Sequence, residues 1–142
     1  MTHIDFYFNA PDKVEVARKL ATKAFRAGLN VLVYPRDAAQ ARELDAMFWS
    51  AQPLSFLPHV VCGHPLARQT PVLIGHDPDE LGSTDVLICL AEEAPGFLDR
   101  FGRLLEVVSG DANDRERARQ HFRSFKQRGY PLDTHDLATN HD

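Results

Sequence analysis

The chain has 142 residues, 44% of them hydrophobic and 25% charged, with a net charge of -4 and two cysteines. That is the size of one ordinary domain with enough apolar content for a core, which excludes disordered and fibrous chains. The longest apolar runs, such as residues 86–91, fall far short of the ~20 residues that cross a bilayer, and the first residues lack the basic start and apolar stretch of a secretory signal, so a cytoplasmic protein is expected.

Residues 4–8 read as a first strand. Pro11 then opens a helix capped near Asn9 or Ala10, in which Val14, Ala17, Leu20, Ala21, Ala24 and Phe25 recur at helical spacing until Gly28 closes it. Residues 30–34 form a second strand, short and continuously apolar as in a sheet covered on both faces. A second helix follows over 37–50, with Ala41, Leu44 and residues 46–49 on its apolar side. Residues 52–70 form a long Pro- and Gly-punctuated connection, a length that is uncommon and often functional. Residues 71–75 and 84–90 read as two more strands, 96–101 as a short helix and 104–108 as a last strand. A final helix over 113–128 ends at Gly129. This alternation predicts one three-layer α/β/α domain over residues 1–134, with a mostly parallel sheet between helices, followed by a short acidic tail at 135–142 to which no role is assigned.

Such a fold invites a nucleotide, but the first strand-to-helix turn, Phe8-Asn-Ala-Pro-Asp-Lys13, contains no glycine. Neither the dinucleotide fingerprint nor a P-loop occurs, so the domain is Rossmann-like without a phosphate cradle and no cofactor is expected. No Gly-x-Ser-x-Gly elbow is present, and Glu92-Glu93 and Asp79-Glu80 read as solvated loop charges, which argues against an enzyme. The alternative is a metal-binding or enzymatic protein using His59, Cys62 and His64, with His76 twelve residues further on. These are zinc-type ligands, but a second pair at standard spacing is missing, and the favoured reading is that no metal is held there. Cys89, inside an apolar strand, reads as a small hydrophobe.

Two constellations read as binding surfaces. Met47, Phe48, Trp49, Phe56 and Leu57 concentrate bulky apolar side chains around the end of the second helix. Leu44 and Phe48 face the core, whereas Trp49 and Phe56 flank Gln52-Pro53 in a surface connection and suit a protein partner. The second surface is the last helix. Residues 1–110 carry 10 Lys/Arg against 14 Asp/Glu, whereas residues 111–130 carry 6 against 3. Arg115, Arg119, Arg123 and Lys126 share one side of that helix beside Phe122, and guanidinium groups next to an aromatic suit an acidic peptide with a hydrophobic end. The acidic remainder of the chain should leave direct DNA binding weak.

Leu44-Asp45 leading into Trp49, Phe56-Leu-Pro-His59, Pro71-Val72, the strand at 84–90, the opening Asp5-Phe-Tyr-Phe8 and the closing Arg-x-Arg-x-x-Phe-Arg-x-x-Lys-x-x-Gly-Tyr-x-Leu segment over 117–132 together resemble the DNA polymerase III chi subunit family. The likeness runs over residues 4–134. It implies a non-catalytic accessory subunit of the holoenzyme, joined to the clamp loader through a partner called psi and binding the acidic C-terminal tail of single-stranded DNA-binding protein. By that resemblance the tail-binding positions are Arg115, Arg119, Phe122, Arg123 and Lys126, and the psi-binding aromatics are Trp49 and Phe56, a surface that a helicase could also use. Family members often carry tyrosine where this chain has Phe122, so a phenolic hydrogen bond to the tail drops out of the expectation.

Overall fold

A computed structural model describes residues 1–50 and 57–138. Among them the chain forms β1 (His3–Ala10), α1 (Lys13–Arg26), β2 (Val31–Tyr34), α2 (Ala38–Ser50), β3 (His59–Val61), β4 (Val72–Ile74), β5 (Val86–Cys89), β6 (Arg103–Ser109), α3 (Ala112–Gln127) and β7 (Leu132–Asp136). The strands make one sheet in the order β3-β4-β2-β5-β6-β1-β7, and every pairing is parallel. The expected layered α/β domain is therefore present, with a sheet that is wholly parallel among the described residues.

The central strands are apolar on both faces because both are covered. Every residue of β4 and β5 is buried, as a parallel sheet between helices requires. On one side α1 and α2 bring Val14, Ala17, Ala21, Leu44 and Phe48 against Val33, Ile74, Ile88 and Leu105. On the other, α3 and neighbouring loops bring Ala118, Phe125, Tyr130 and Leu98 against Ile4, Phe6, Leu87 and Leu104. The side-chain period of two thus assigns each half of the apolar set to its own layer.

Three local expectations change. The N-cap of α1 is Asp12, whose carboxylate accepts hydrogen bonds from the amides of Val14 and Glu15 at 3.0 and 3.3 Å. Asn9 instead occupies the left-handed region at φ 61°, and Pro11 lies before the helix. An extended Asp is a strong cap, and Asp12 takes that position directly after Pro11. The long connection after α2 contains β3, an edge strand of three residues, and a 3-10 turn at Ala67–Gln69. Finally, β7 carries residues 135 and 136 into the sheet, where Tyr7 pairs with His135 and Phe8 with Asp136. Its sequence, Leu-Asp-Thr-His-Asp, hides the strand because an edge strand tolerates polar side chains.

Leu87 is fully buried at the centre of the sheet. Leu87→Ala should lower stability in urea unfolding by about 2–5 kcal/mol. Leu66→Ala, at a side chain that is 51% exposed, should change it by less than about 0.5 kcal/mol.

Candidate protein-binding site

Helix α3 is fixed at both ends by its own sequence. Asp111 caps it, accepting from the amides of Asn113 and Asp114 at 3.1 and 3.2 Å. Asp114, in the first turn, accepts from the Ser109 amide at 2.7 Å, pairs with Lys13 at 3.2 Å and is held by Arg117. The start of α3 is thereby tied to the end of β6 and the start of α1. Burial pushes the Asp114 carboxyl up, but the Ser109 amide, Arg117 and Lys13 outweigh it and hold the group at about 2. At the far end Gly129 takes φ +84°, and the Tyr130 amide reaches back to the Phe125 carbonyl at 3.1 Å. That is a Schellman closure, for which a Cβ-free residue is favoured.

Between these anchors α3 buries Ala118 and Phe125. Phe122 stands edge-on to Phe6, with ring centroids 5.6 Å apart. Beside it lies an open cleft of about 320 Å³, lined by Phe6 and Phe8 of β1, Val108 of β6, Thr134 of β7, and Arg115, Ala118, Arg119 and Phe122 of α3. The floor is apolar and two guanidinium groups stand at the rim. Arg119 meets Glu116 at 3.4 Å, but both side chains are more than half exposed, and such a pair is weak. Arg115 has no carboxylate partner among the described residues. Three of the five candidate residues therefore converge on one cleft. Arg123 and Lys126 are exposed on later turns of α3 and do not line it.

The second surface sits at the other end of the sheet. Trp49, at the end of α2, is 57% exposed. Its ring lies 4.6 Å from that of His59, which also meets the buried Phe48 edge-on at 5.1 Å. Leu44 and Phe48 are buried, as expected of core residues. Phe56 lies outside the described residues. Since α2 packs on β3 and β4 while α3 packs on β6 and β7, the two surfaces occupy opposite faces towards opposite edges of the sheet.

A family model described as DNA polymerase III chi subunit, HolC, matches residues 1–133. The DNA polymerase III subunit chi of Pseudomonas aeruginosa is 37% identical over 96% of this chain and 98% of its own length. The chain belongs to the DNA polymerase III chi subunit family. The Haemophilus influenzae subunit chi is 31% identical over 87% of this chain and 86% of its own, and the Escherichia coli subunit chi 27% identical over 82% and 80%.

In this chi-family chain the loop histidines are occupied separately. The buried His59 contacts the Leu57 carbonyl through Nδ1 at 2.8 Å and Asp45 through Nε2 at 3.1 Å. His64 Nδ1 accepts from the Leu66 amide at 3.0 Å. Cys62 Sγ faces the Asp77 carbonyl, and a Cβ on Gly75 would sit 2.6 Å from that sulfur. His59, Cys62 and His64 do not come together as a ligand set. Burial and the neighbouring Glu106 push the Cys89 thiol up to about 12, so it behaves as the small hydrophobe its sequence suggested. At the carboxyl ends of the strands, a crevice holds Lys13, Arg36 and Arg117 among Glu92, Asp111 and Asp114. There Asp12 and Asp111 already accept from the first free amides of α1 and α3, the donors that would hold a phosphate.

What the sequence reading missed is the floor of the cleft. Phe6, Phe8, Val108 and Thr134 come from three strands far apart in the chain, and no spacing rule joins them. The available signal was parity: Phe6 and Phe8 share a face of β1 with Ile4, and Ile4 and Phe6 lie in the same core layer as Phe125.

The folded-state value of Asp114 lies below that of an unfolded aspartate. Its stabilisation is therefore complete above pH ~4 and is lost as pH falls towards 2. Asp114→Asn should cost about 2 kcal/mol at pH 7 in urea unfolding, and the gap from the unsubstituted protein should narrow at pH 3.

Proposed function

We propose that this chi-family chain is a non-catalytic tether of the cytoplasmic replication machinery. In this reading the α3 cleft binds the acidic, hydrophobic-ended C-terminal tail of single-stranded DNA-binding protein. The Trp49 surface, with Phe56, joins a psi-type subunit of the clamp loader. The observation that carries the reading is the cleft itself: an apolar floor of Phe6, Phe8 and Phe122 under the exposed guanidinium groups of Arg115 and Arg119. A peptide ending in an apolar residue and a carboxylate has the matching chemistry, since guanidinium forks onto carboxylates and an aromatic floor takes the side chain. Arg123 and Lys126 extend the positive stripe along α3, where upstream acidic residues of the tail would run.

Opposite edges suit opposite partners, because one chain can hold both without steric conflict. A single tail contact is weak, but several tails on one DNA-coating tetramer raise the effective concentration of the next. The remainder of the chain is acidic, residues 1–110 having 14 Asp/Glu against 10 Lys/Arg, so it would repel the DNA backbone while the tail is held. A helicase using the Trp49 surface would compete with the psi-type subunit and not with the tail.

Fluorescence anisotropy with a labelled C-terminal peptide of the cognate single-stranded DNA-binding protein tests the cleft. Saturable binding should weaken about tenfold in Arg119→Ala, equivalent to ~1.4 kcal/mol, and fall with added salt. Phe122→Ala should weaken it by a comparable factor, whereas Trp49→Ala should leave it unchanged. Binding that ignores salt and both α3 substitutions would place the tail elsewhere.

A further inference from the structure

The strand pair that floors the cleft on one face carries a different chemistry on the other. There β1 presents His3 and Asp5, and β7, in register with it, presents Asp133 beside Asp5 and His135 beside Tyr7. His3 Nε2 lies 2.7 Å from Asp133 Oδ2 and 3.6 Å from Asp5 Oδ1. One ligand atom from each of His3, Asp5 and Asp133 falls within 4.8 Å of the other two, the one such triple among the described residues. Ligand atoms bonded to zinc at ~2.0–2.1 Å in tetrahedral geometry stand about 3.3 Å apart, between the two His3 distances. We infer that His3, Asp5 and Asp133 form a binding site for a divalent transition-metal ion of the zinc type.

Three further observations support a site over a chance contact. Asp5 is 1% exposed, and its Oδ2 has no hydrogen-bond partner. The nearby Arg103 Nη1, 3.1 Å away, forms an ion pair without hydrogen-bond alignment. The oxygen turned towards His3 is Oδ1, so Asp5 offers the site a buried carboxylate whose other oxygen is held by Arg103. His135 approaches Asp5 Oδ1 at 3.0 Å through Nε2 and is itself stacked on Tyr7, with centroids 4.4 Å apart. That is the outer support that metal-binding carboxylates ordinarily have. Charge also fits. The two carboxylates outnumber the one guanidinium of Arg103, so the cluster attracts a cation.

Access follows from the exposure of the outer two ligands. The side chain of His3 is 29% exposed and that of Asp133 is 61% exposed, so an ion can enter from solvent, and a water would complete the fourth position. Imidazole with carboxylate favours zinc or cobalt over magnesium or calcium, which seek oxygen-only sites. In the absence of the ion the His3–Asp133 hydrogen bond occupies the same space, which keeps the ligands near their bound positions. The inference is independent of the tail-binding reading, because it concerns the opposite face of β1 and β7.

Untagged full-length protein, freed of metal and dialysed against Zn²⁺, should take up one ion per chain, and Co²⁺ should give the visible absorption bands of a tetrahedral centre. His3→Ala and the isosteric Asp133→Asn should each abolish the bands while leaving the circular dichroism spectrum unchanged. His135→Ala should weaken binding by about 10–100-fold, the usual effect of removing an outer partner. His64→Ala, in the loop after β3, should have no effect. Failure of the unsubstituted protein to retain either ion would overturn the assignment. So would Co²⁺ bands that survive both His3→Ala and Asp133→Asn.

Discussion

The pairing of β1 with β7 is the constraint on which both candidate sites depend. The two strands are separated by more than a hundred residues yet run parallel and in register from Ile4 and Leu132 to Phe8 and Asp136. Because successive side chains point to opposite faces, one pairing yields two surfaces. Phe6, Phe8 and Thr134 open into the cleft under α3, while His3, Asp5, Asp133 and His135 meet on the reverse. A slip of one residue would exchange the faces and destroy both. The polar groups on the reverse face oppose such a slip, since the buried Asp5 carboxylate meets His135, His3 and Arg103 only in this register.

The positive charge of α3 is less uniform than its sequence implies. Arg117 is structural: it holds Asp114 and donates to the Glu92 carbonyl at 2.7 Å. Arg128 lies over the rings of Tyr130 and Phe125 at 5.1 and 5.8 Å, and Tyr130 in turn donates to Asp99. These two arginines tie the helix to the domain, leaving Arg115, Arg119, Arg123 and Lys126 facing solvent. A count of charges cannot separate the two groups, because their difference lies in contacts with residues distant in the chain.

Much of the architecture was legible because the signals were local. The continuous apolar runs of β2, β4 and β5 and the helical spacing of Val14, Ala17 and Ala21 read directly as covered strands and an amphipathic helix. Three of the α3 side chains that line the cleft were legible for the same reason, since i, i+4 and i+7 place Arg115, Arg119 and Phe122 together. What escaped was short or polar. β3 has three residues, and β7 lacks the alternation of a half-buried strand because it is an edge. His59, Cys62 and His64 are close in sequence but do not converge, whereas the ligand-type atoms that do converge lie on β1 and β7 and share no sequence neighbourhood.

The position of β7 also orders assembly in time. Parallel strands brought together from remote parts of a chain require closing a long loop before any pairing energy is gained, and such contacts form late. During synthesis β1 to β6 are made before β7, so the β1 edge stays bare until residue 136 has emerged. A partially made chain therefore has α3 without the Thr134 side of its cleft and Asp5 without His135. Chains interrupted before that point would lack both residues, so both surfaces are completed only by the last strand.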